Sequence, residues 1–306
     1  MPRWLQLVLR RKLICRRIRT HSEIWPIDPK AASPPANWSG WPGDKRFAVI
    51  LVHDVDTRKG YLKCAELMEV EKELGFCSSF NFVPERCYSL SPELRRKLRE
   101  NGFEVGVHDL KHDGKLFKSE KNFRQRVAKI NEYLNEWDSV GFRAGSMFCN
   151  LDWIQNLNIE YDSSTFDTDP FEPKPDGRRT IFPFWVQSSN ASGYVELPYT
   201  MPQDFTLFIL MKEKNIDIWK RKVDWIVANG GMVLITTHPD YIGFNGSKLG
   251  REEYPVDFYR EILLYLKNSY QNQYWNALPR DVASFWSQNY KTNLPEPVGL
   301  ERRIAL

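Results

Sequence analysis

From Phe47 onward the chain repeats one unit, a short β-rich run followed by a longer stretch with helical spacing. The runs are FAVILVHD (47–54), SSFNFV (78–83), FEVGVHD (103–109), SVGFRAG (139–145), IEYDSST (159–165), YVELPY (194–199) and MVLITTH (232–238). Amphipathic stretches at about 60–74, 91–100, 119–136 and 217–229 separate several of them. KCAELMEVEKELG stops on Gly75, and SPELRRKLRENG opens with Ser91 as N-cap and Pro92 at the first helical position. Strands that alternate with helices form parallel βα units, because each crossover returns the chain to the same end of the sheet. Seven such strands predict an α/β fold, a distorted or incomplete βα barrel, with an open doubly wound sheet as the alternative.

Composition bounds the partners. At 306 residues and 42% hydrophobic the chain can bury a full core, and barrels often use this length as one domain. The expected organisation is a basic N-terminal segment with an irregular lead-in (1–46), a single barrel domain (47–290) and a tail (291–306). A net charge of +4 is too small to make nucleic acid the main partner. No apolar run approaches the roughly 20 residues needed to cross a bilayer. Five cysteines, an odd number without a CxxC pair, read as reduced thiols and suggest a cytoplasmic protein.

Residues 1–20, MPRWLQLVLRRKLICRRIRT, carry seven Lys/Arg and no acid. Arginines interrupt the apolar stretch, so it does not read as a signal peptide. It reads as a basic helix or arm packed on the domain, or else as an amphipathic helix making peripheral membrane contact. The lead-in, 21–46, holds five prolines and three tryptophans and should wrap the domain. The connection 165–193 is long and rich in Pro and Gly, but Phe171, Phe182, Phe184 and Trp185 favour an ordered flap. Two closing helices are expected beyond residue 251.

The polar residues fall at the ends of the strands. Asp54 and Asp56 close the first, His108 the third, Arg143 the fourth, Asp162 the fifth and His238 the seventh. In a βα barrel those ends share one face, where catalytic groups collect. Strand alternation puts Asp54 and Asp56 on one side and turns His53 and Val55 away. Two neighbouring carboxylates at the edge of a core need a cation or strong donors to offset repulsion and desolvation. In GVHDLKHDG (106–114), His108 and His112 stand four apart and can face one ion. Together with Asp56 they make an Asp-His-His set that leaves positions open, as catalytic zinc requires. Cobalt, nickel or iron would suit the same ligands. Arg143 needs a carboxylate partner, and Asp54 is available if it is not a ligand. His238, opposite a metal, becomes a candidate general acid. Trp185, Tyr199 and Tyr241 are candidate substrate-binding residues.

In order along the chain, these segments resemble the motifs of the polysaccharide deacetylase family, the NodB-type carbohydrate esterases (carbohydrate esterase family 4). HDVD resembles the first motif, HDLKH the second, FRAG the third, YDSST the fourth and LITTH the fifth, over about residues 47–240. The resemblance implies a distorted (β/α)7 barrel and a divalent metal, zinc first, on Asp56, His108 and His112. It implies Asp54 as catalytic base, Arg143 as the residue that holds it, and catalytic roles for Asp162 and His238. Gly145 replaces a proline usual in the third motif, and DSSTF lacks the tryptophan usual in the fourth. The implied reaction is hydrolysis of an N-acetyl group on an amino sugar of a glycan or glycan precursor. Two alternatives stay open: hydrolysis of another C–N bond such as a cyclic imide or ureide, and non-catalytic carbohydrate binding.

Overall fold

The computed structural model describes residues 3–187, 193–244, 246 and 248–291. The expected tail therefore lies outside the described residues, apart from its first position. Helix α1 (Arg3–Thr20) leads into an irregular segment, followed by β1 (Phe47–Val55), α2 (Arg58–Tyr61) and α3 (Cys64–Leu74). Next come β2 (Ser79–Phe82), α4 (Pro92–Glu100), β3 (Glu104–His108) and α5 (Glu120–Glu136). The middle of the chain gives β4 (Gly141–Arg143), α6 (Leu151–Ile154), β5 (Tyr161–Asp162), β6 (Phe184–Gln187) and β7 (Gly193–Glu196). A π-helical segment, Phe205–Met211, precedes α7 (Asp217–Ala228) and β8 (Met232–Thr237). The chain closes through β9 (Ile242–Gly243), β10 (Tyr254–Pro255), α8 (Val256–Ser269), β11 (Tyr274–Asn276) and α9 (Pro279–Asn289).

The seven expected strands become β1, β2, β3, β4, β5, β7 and β8, all parallel to their neighbours in one curled sheet. This is the distorted barrel, not the open doubly wound sheet. β1 is its keystone. Val52 to Val55 pair with β2 on one edge and Ala48 to His53 with β8 on the other, and all nine residues are buried. A strand buried on both faces loses the polar alternation of an exposed one, which explains the unbroken FAVILV run. Between β7 and β8 the wall is completed by irregular chain: Met201 N–H donates to Leu234 O at 3.2 Å and Met232 N–H to Ile181 O at 2.8 Å.

Four strands were not legible: the small β9–β10 pair, and β6 and β11 at the edges of the main sheet. β6 lies inside the expected flap and pairs antiparallel with β7, and β11 adds parallel to the first residues of β1. Both are short edge strands without apolar alternation. The predicted caps are formed: Ser91 Oγ accepts from Leu94 N–H at 3.2 Å, and Gly75 takes the left-handed conformation (φ 80°) that ends α3. The lead-in tryptophans sit at the N-terminal end of β8, where Trp41 Nε1–H donates to Gly230 O at 2.8 Å and Trp38 meets Phe182 and Trp286. They close the end of the barrel opposite the strand C-termini.

Helix α1 lies on the domain. Leu7 and Ile14 are buried, and Arg11 Nη2 donates to Ile209 O at 3.0 Å, so the helix rests on the π-helical segment. Val8, Leu9 and Leu13 of this helix stay exposed. No helix among the described residues is long and apolar enough to cross a membrane.

Candidate active site

The C-terminal ends of the strands open into a cleft of about 700 Å³. Asp54, Asp56, His108, His112, His238 and Tyr241 all line it. The side chains around Asp54 are fully engaged. Arg143 Nε donates to Asp54 Oδ2 at 2.7 Å, and Asn81 Nδ2 donates to Oδ1 at 3.0 Å. Arg143, only 1% exposed, is tied down in turn: Nη1 donates to Ser163 O and Oγ at 2.6 and 2.9 Å, and Nη2 to Thr236 Oγ1 at 3.0 Å. Burial alone would raise the Asp54 carboxyl, but Arg143, His108, His238 and the Asn81 hydrogen bond together outweigh it and hold the group at about 2. The base candidate is therefore ionised throughout the neutral range.

Asp56 stands two residues on, facing the histidines. Its Oδ1 lies 3.4 Å from His108 Nε2 and 3.2 Å from His112 Nε2, and ligand atoms of the three residues lie within 4.8 Å of one another. The tautomer of His108 is set by geometry: Nδ1 lies 3.0 Å from the carbonyl oxygen of Arg143, which can only accept. Nδ1 thus carries the proton, and Nε2 offers its lone pair to the cleft. Asp56 Oδ1 is buried yet has no hydrogen-bond partner among the described residues. A buried, ionised oxygen without a donor, with two imidazole nitrogens aimed at it, fits a divalent cation held by one carboxylate and two histidines. His112 sits in the left-handed region at φ 49° and Asp109 at φ 56°, so the loop accepts strained backbone to bring the second histidine round.

The departure at residue 145 has a physical reason here. A Cβ on Gly145 would come within 2.8 Å of Asp109 Oδ2 and 2.9 Å of the His112 ring. Only glycine leaves that imidazole in place.

On the other side of Asp54 is His238. Its Nδ1 lies 2.7 Å from Asp204 Oδ1, and its backbone N–H donates to Asp204 Oδ2 at 2.8 Å. Tyr254 Oη also donates to Oδ2, at 3.0 Å, and Asp204 is wholly buried. Burial by itself would lower the imidazole, but the Asp204 carboxylate outweighs it and pushes His238 up to about 10. With Nδ1–H directed at Asp204, Nε2–H faces the cleft as a proton donor. Changing Asp204 to Asn removes the charge that keeps His238 protonated. A raised histidine pKa contributes stability that is fully present below about 6.5 and lost as pH rises through about 10, and the proton that His238 would donate is held until pH approaches about 10. In Asp204→Asn, the alkaline limb of the kcat profile should move toward acid by one unit or more. An unmoved limb would separate His238 from proton donation.

The remaining predicted residues lie elsewhere. Asp162 is wholly buried behind the cleft, beside Glu196, and burial with that second carboxylate pushes it well above the ordinary range. Its Oδ1 accepts from Ser164 Oγ at 2.6 Å, and Ser164 Oγ accepts from Ala144 N–H at 2.8 Å. Asp162 therefore braces the turn after Arg143 and is not among the residues that line the cleft. Tyr199 is 1% exposed, with its ring 5.8 Å from the Arg143 guanidinium and its hydroxyl on Asp169 and Glu172. It is a floor beneath Arg143, not a stacking surface. Trp185 is buried on β6 with Lys291 over its ring and its indole N–H on Gln187, away from the cleft wall. Of the three, Tyr241 alone is on the wall, 5.3 Å from the His238 ring.

The other histidines have structural work. His53 is wholly buried on the far face of β1, hydrogen-bonded to Glu71 and Thr237, and His21 Nδ1 is 3.0 Å from Arg17 O at the end of α1. Cys64, Cys77, Cys87 and Cys149 are free. Burial raises the thiols of Cys64, Cys77 and Cys149, the second to about 11, which disfavours the thiolate a nucleophile needs. Functional residues missed in the sequence are Asn81, Thr236, Asp204, Glu172 and the α1 residues Arg10, Leu13, Ile14 and Arg17 on the cleft wall. Asn81 and Thr236 carried a signal, as polar residues inside apolar runs. Asp204 and α1 carried none, since both act across the fold.

No protein-family model matches the sequence, and no curated protein matches it. Solved structures do. A Mycobacterium smegmatis protein assigned as a polysaccharide deacetylase aligns over 86% of this chain and 99% of its own, with TM-score 0.61 and 20% identity. One from Pseudomonas aeruginosa PAO1, similarly assigned, aligns over 88% and 100%, with TM-score 0.63 and 16% identity. The chain has the NodB-type deacetylase fold. The same deacetylase fold relates it to PuuE allantoinase, over 88% and 99% of the chains, with TM-score 0.64 and 15% identity.

Proposed function

We propose that the chain is a metal-dependent hydrolase that removes an N-acetyl group from an amino sugar of a glycan or glycan precursor. One observation carries the reading: Asp54, fixed by Arg143 and Asn81, shares one cleft with the Asp56-His108-His112 set and with a His238 held protonated by Asp204. A base, an ion site and an acid that are separately positioned and differently tuned are what amide hydrolysis needs.

Asp56, His108 and His112 would hold the ion, with zinc first and cobalt, nickel or iron as alternatives. When bound, a divalent ion polarises the acyl oxygen and acidifies water in the site. Asp54 accepts one proton from the attacking water; a carboxylate held this low needs that water to be acidified. Arg143 keeps Asp54 ionised and aimed. His238 Nε2 passes its proton to the departing nitrogen as the C–N bond breaks, giving acetate and the free amine. A purely binding relative has no need of a buried Asp204 to keep His238 charged or of two buried donors, Asn81 and Arg143, to fix Asp54, and non-catalytic binding is the weaker reading on that ground.

The protein-likeness to an allantoinase keeps ureide hydrolysis as the second reading, since the fold hosts both names at similar TM-scores. Zinc-loaded protein is expected to release acetate from an N-acetylated amino sugar and to stop when the ion is chelated. Opening of a cyclic ureide with no acetate from any N-acetyl sugar would overturn deacetylation in favour of the second reading.

A further inference from the structure

The cleft has a charge gradient. Asp54 and Asp56 lie on its floor and Glu172, Asp240 and Glu252 also line it, whereas Arg10, Arg17, Lys59 and Arg86 line it closer to solvent. Lys59 pairs at 2.7 Å with Glu253, a carboxylate it shares with Lys63. Among the described residues none of the three arginines has an ion-pair partner. Arg17 spends one N–H on Pro170 O at 2.9 Å, and Arg10 lies 6.0 Å from the centre of the Phe205 ring.

Arg10, Leu13, Ile14 and Arg17 fall at the i, i+3, i+4, i+7 spacing of a single helix face, and all four line the cleft. Helix α1 thus lends the barrel a wall it does not otherwise have. A neutral sugar polymer is ordinarily gripped by exposed aromatic faces, and two of the three aromatics expected for that purpose are off this wall. Beside the rings of Phe171, Phe205 and Tyr241 the wall offers guanidinium that has no ion-pair partner among the described residues, and its planar fork matches phosphate oxygens.

Resting on the deacetylase reading, we infer that the substrate is an acetamido sugar bearing a phosphate ester, whose phosphate is met by Arg10 and Arg17 of α1 and by Arg86. The neighbouring exposed Leu9 and Leu13 would suit a lipid tail on that phosphate. A nucleotide or a simple sugar phosphate presents the same anion without the tail.

The test uses the full-length, zinc-loaded protein. Calorimetric titration compares glucose 1-phosphate with glucose, which isolates the phosphate from the acetyl chemistry. Wild type should bind the phosphosugar more tightly than the sugar, and Arg10→Gln/Arg17→Gln/Arg86→Gln should lose about tenfold in affinity, with added salt eroding the wild-type advantage. Arg86→Gln alone, outside α1 and its packing, should show part of that loss if the triple variant fails to fold. Equal affinity in wild type and variants would overturn the subsite and assign any binding to the metal. Acetate release is then read separately, from an N-acetyl sugar 1-phosphate against the unphosphorylated sugar. Arginine-dependent phosphosugar binding with no acetate from either sugar would sink the reaction and leave the subsite standing. Equal turnover of both sugars, unaffected by the variants, would sink the subsite and leave the reaction standing. Finally, a phosphosugar on a lipid tail in phosphatidylcholine vesicles, against the same phosphosugar in solution, identifies the source: faster turnover of the tethered form assigns a lipid, and equal turnover a soluble ester.

Discussion

Asp54→Asn should lower kcat by about 10²–10⁴-fold, the range a positioned general base supplies, and should leave metal binding intact. The geometry separates these two effects. Asp54 Oδ1 and Oδ2 are both occupied by protein donors, Asn81 and Arg143, so neither is needed to hold an ion. Asparagine keeps the shape but presents an N–H₂ where a donor already points. Turning it toward Asn81 relieves the clash, because the Asn81 amide can flip. What remains is Arg143 buried without its counter-charge, and breaking such a pair costs about 3–5 kcal/mol. The rate should therefore be measured at a temperature where circular dichroism shows the variant folded. The same pair makes stability depend on acid. With its folded pKa depressed to about 2, Asp54 contributes stability that is present above the ordinary value of 3.8 and lost as pH falls through about 2. A variant with near-normal kcat would remove Asp54 from the chemistry.

The second large effect belongs to the histidine pair. His108→Ala/His112→Ala should abolish both bound metal and turnover. One carboxylate cannot hold a transition metal alone, and the His108 Nε2 lone pair is presented only because Nδ1–H is fixed on Arg143 O. That single carbonyl links the two halves of the site: Arg143 positions the base with its side chain and a ligand with its backbone. Alanine at 108 and 112 also takes two imidazoles from beside half-buried Asp56, so its carboxyl should rise once the histidines that hold it low are gone. Retained metal at wild-type stoichiometry would place the ion elsewhere.

The strand ends were readable because β1, β3, β4 and β8 each run apolar residues directly into a polar one, and a parallel barrel sends those ends to one face. The meeting of Asp56, His108 and His112 followed from that geometry plus a four-residue spacing. Asp162 shows where the argument weakens. β5 is two residues long, so alternation cannot say which way its side chain turns, and it points to Glu196 and Ser164 behind the cleft. Trp185 and Tyr199 show a second weakness. Their composition is equally that of a stacking platform and of a core, and only tertiary packing decides. Asp204 reaches His238 across 34 positions of chain, and α1 reaches the cleft from more than 190 residues before the π-helical segment it rests on. No local pattern encodes contacts of that range.

The most direct test of the whole account is metal content and kcat measured on the same preparations of wild type, Asp54→Asn and His108→Ala/His112→Ala. Wild type should carry about one divalent ion per chain and turn over an N-acetyl sugar, on the catalytic zinc pattern of three protein ligands. Asp54→Asn should carry the ion and be inactive, and the double variant should carry neither ion nor activity. Equal metal content in wild type and the double variant, or no metal in wild type even after reconstitution with zinc, would contradict the account at its centre.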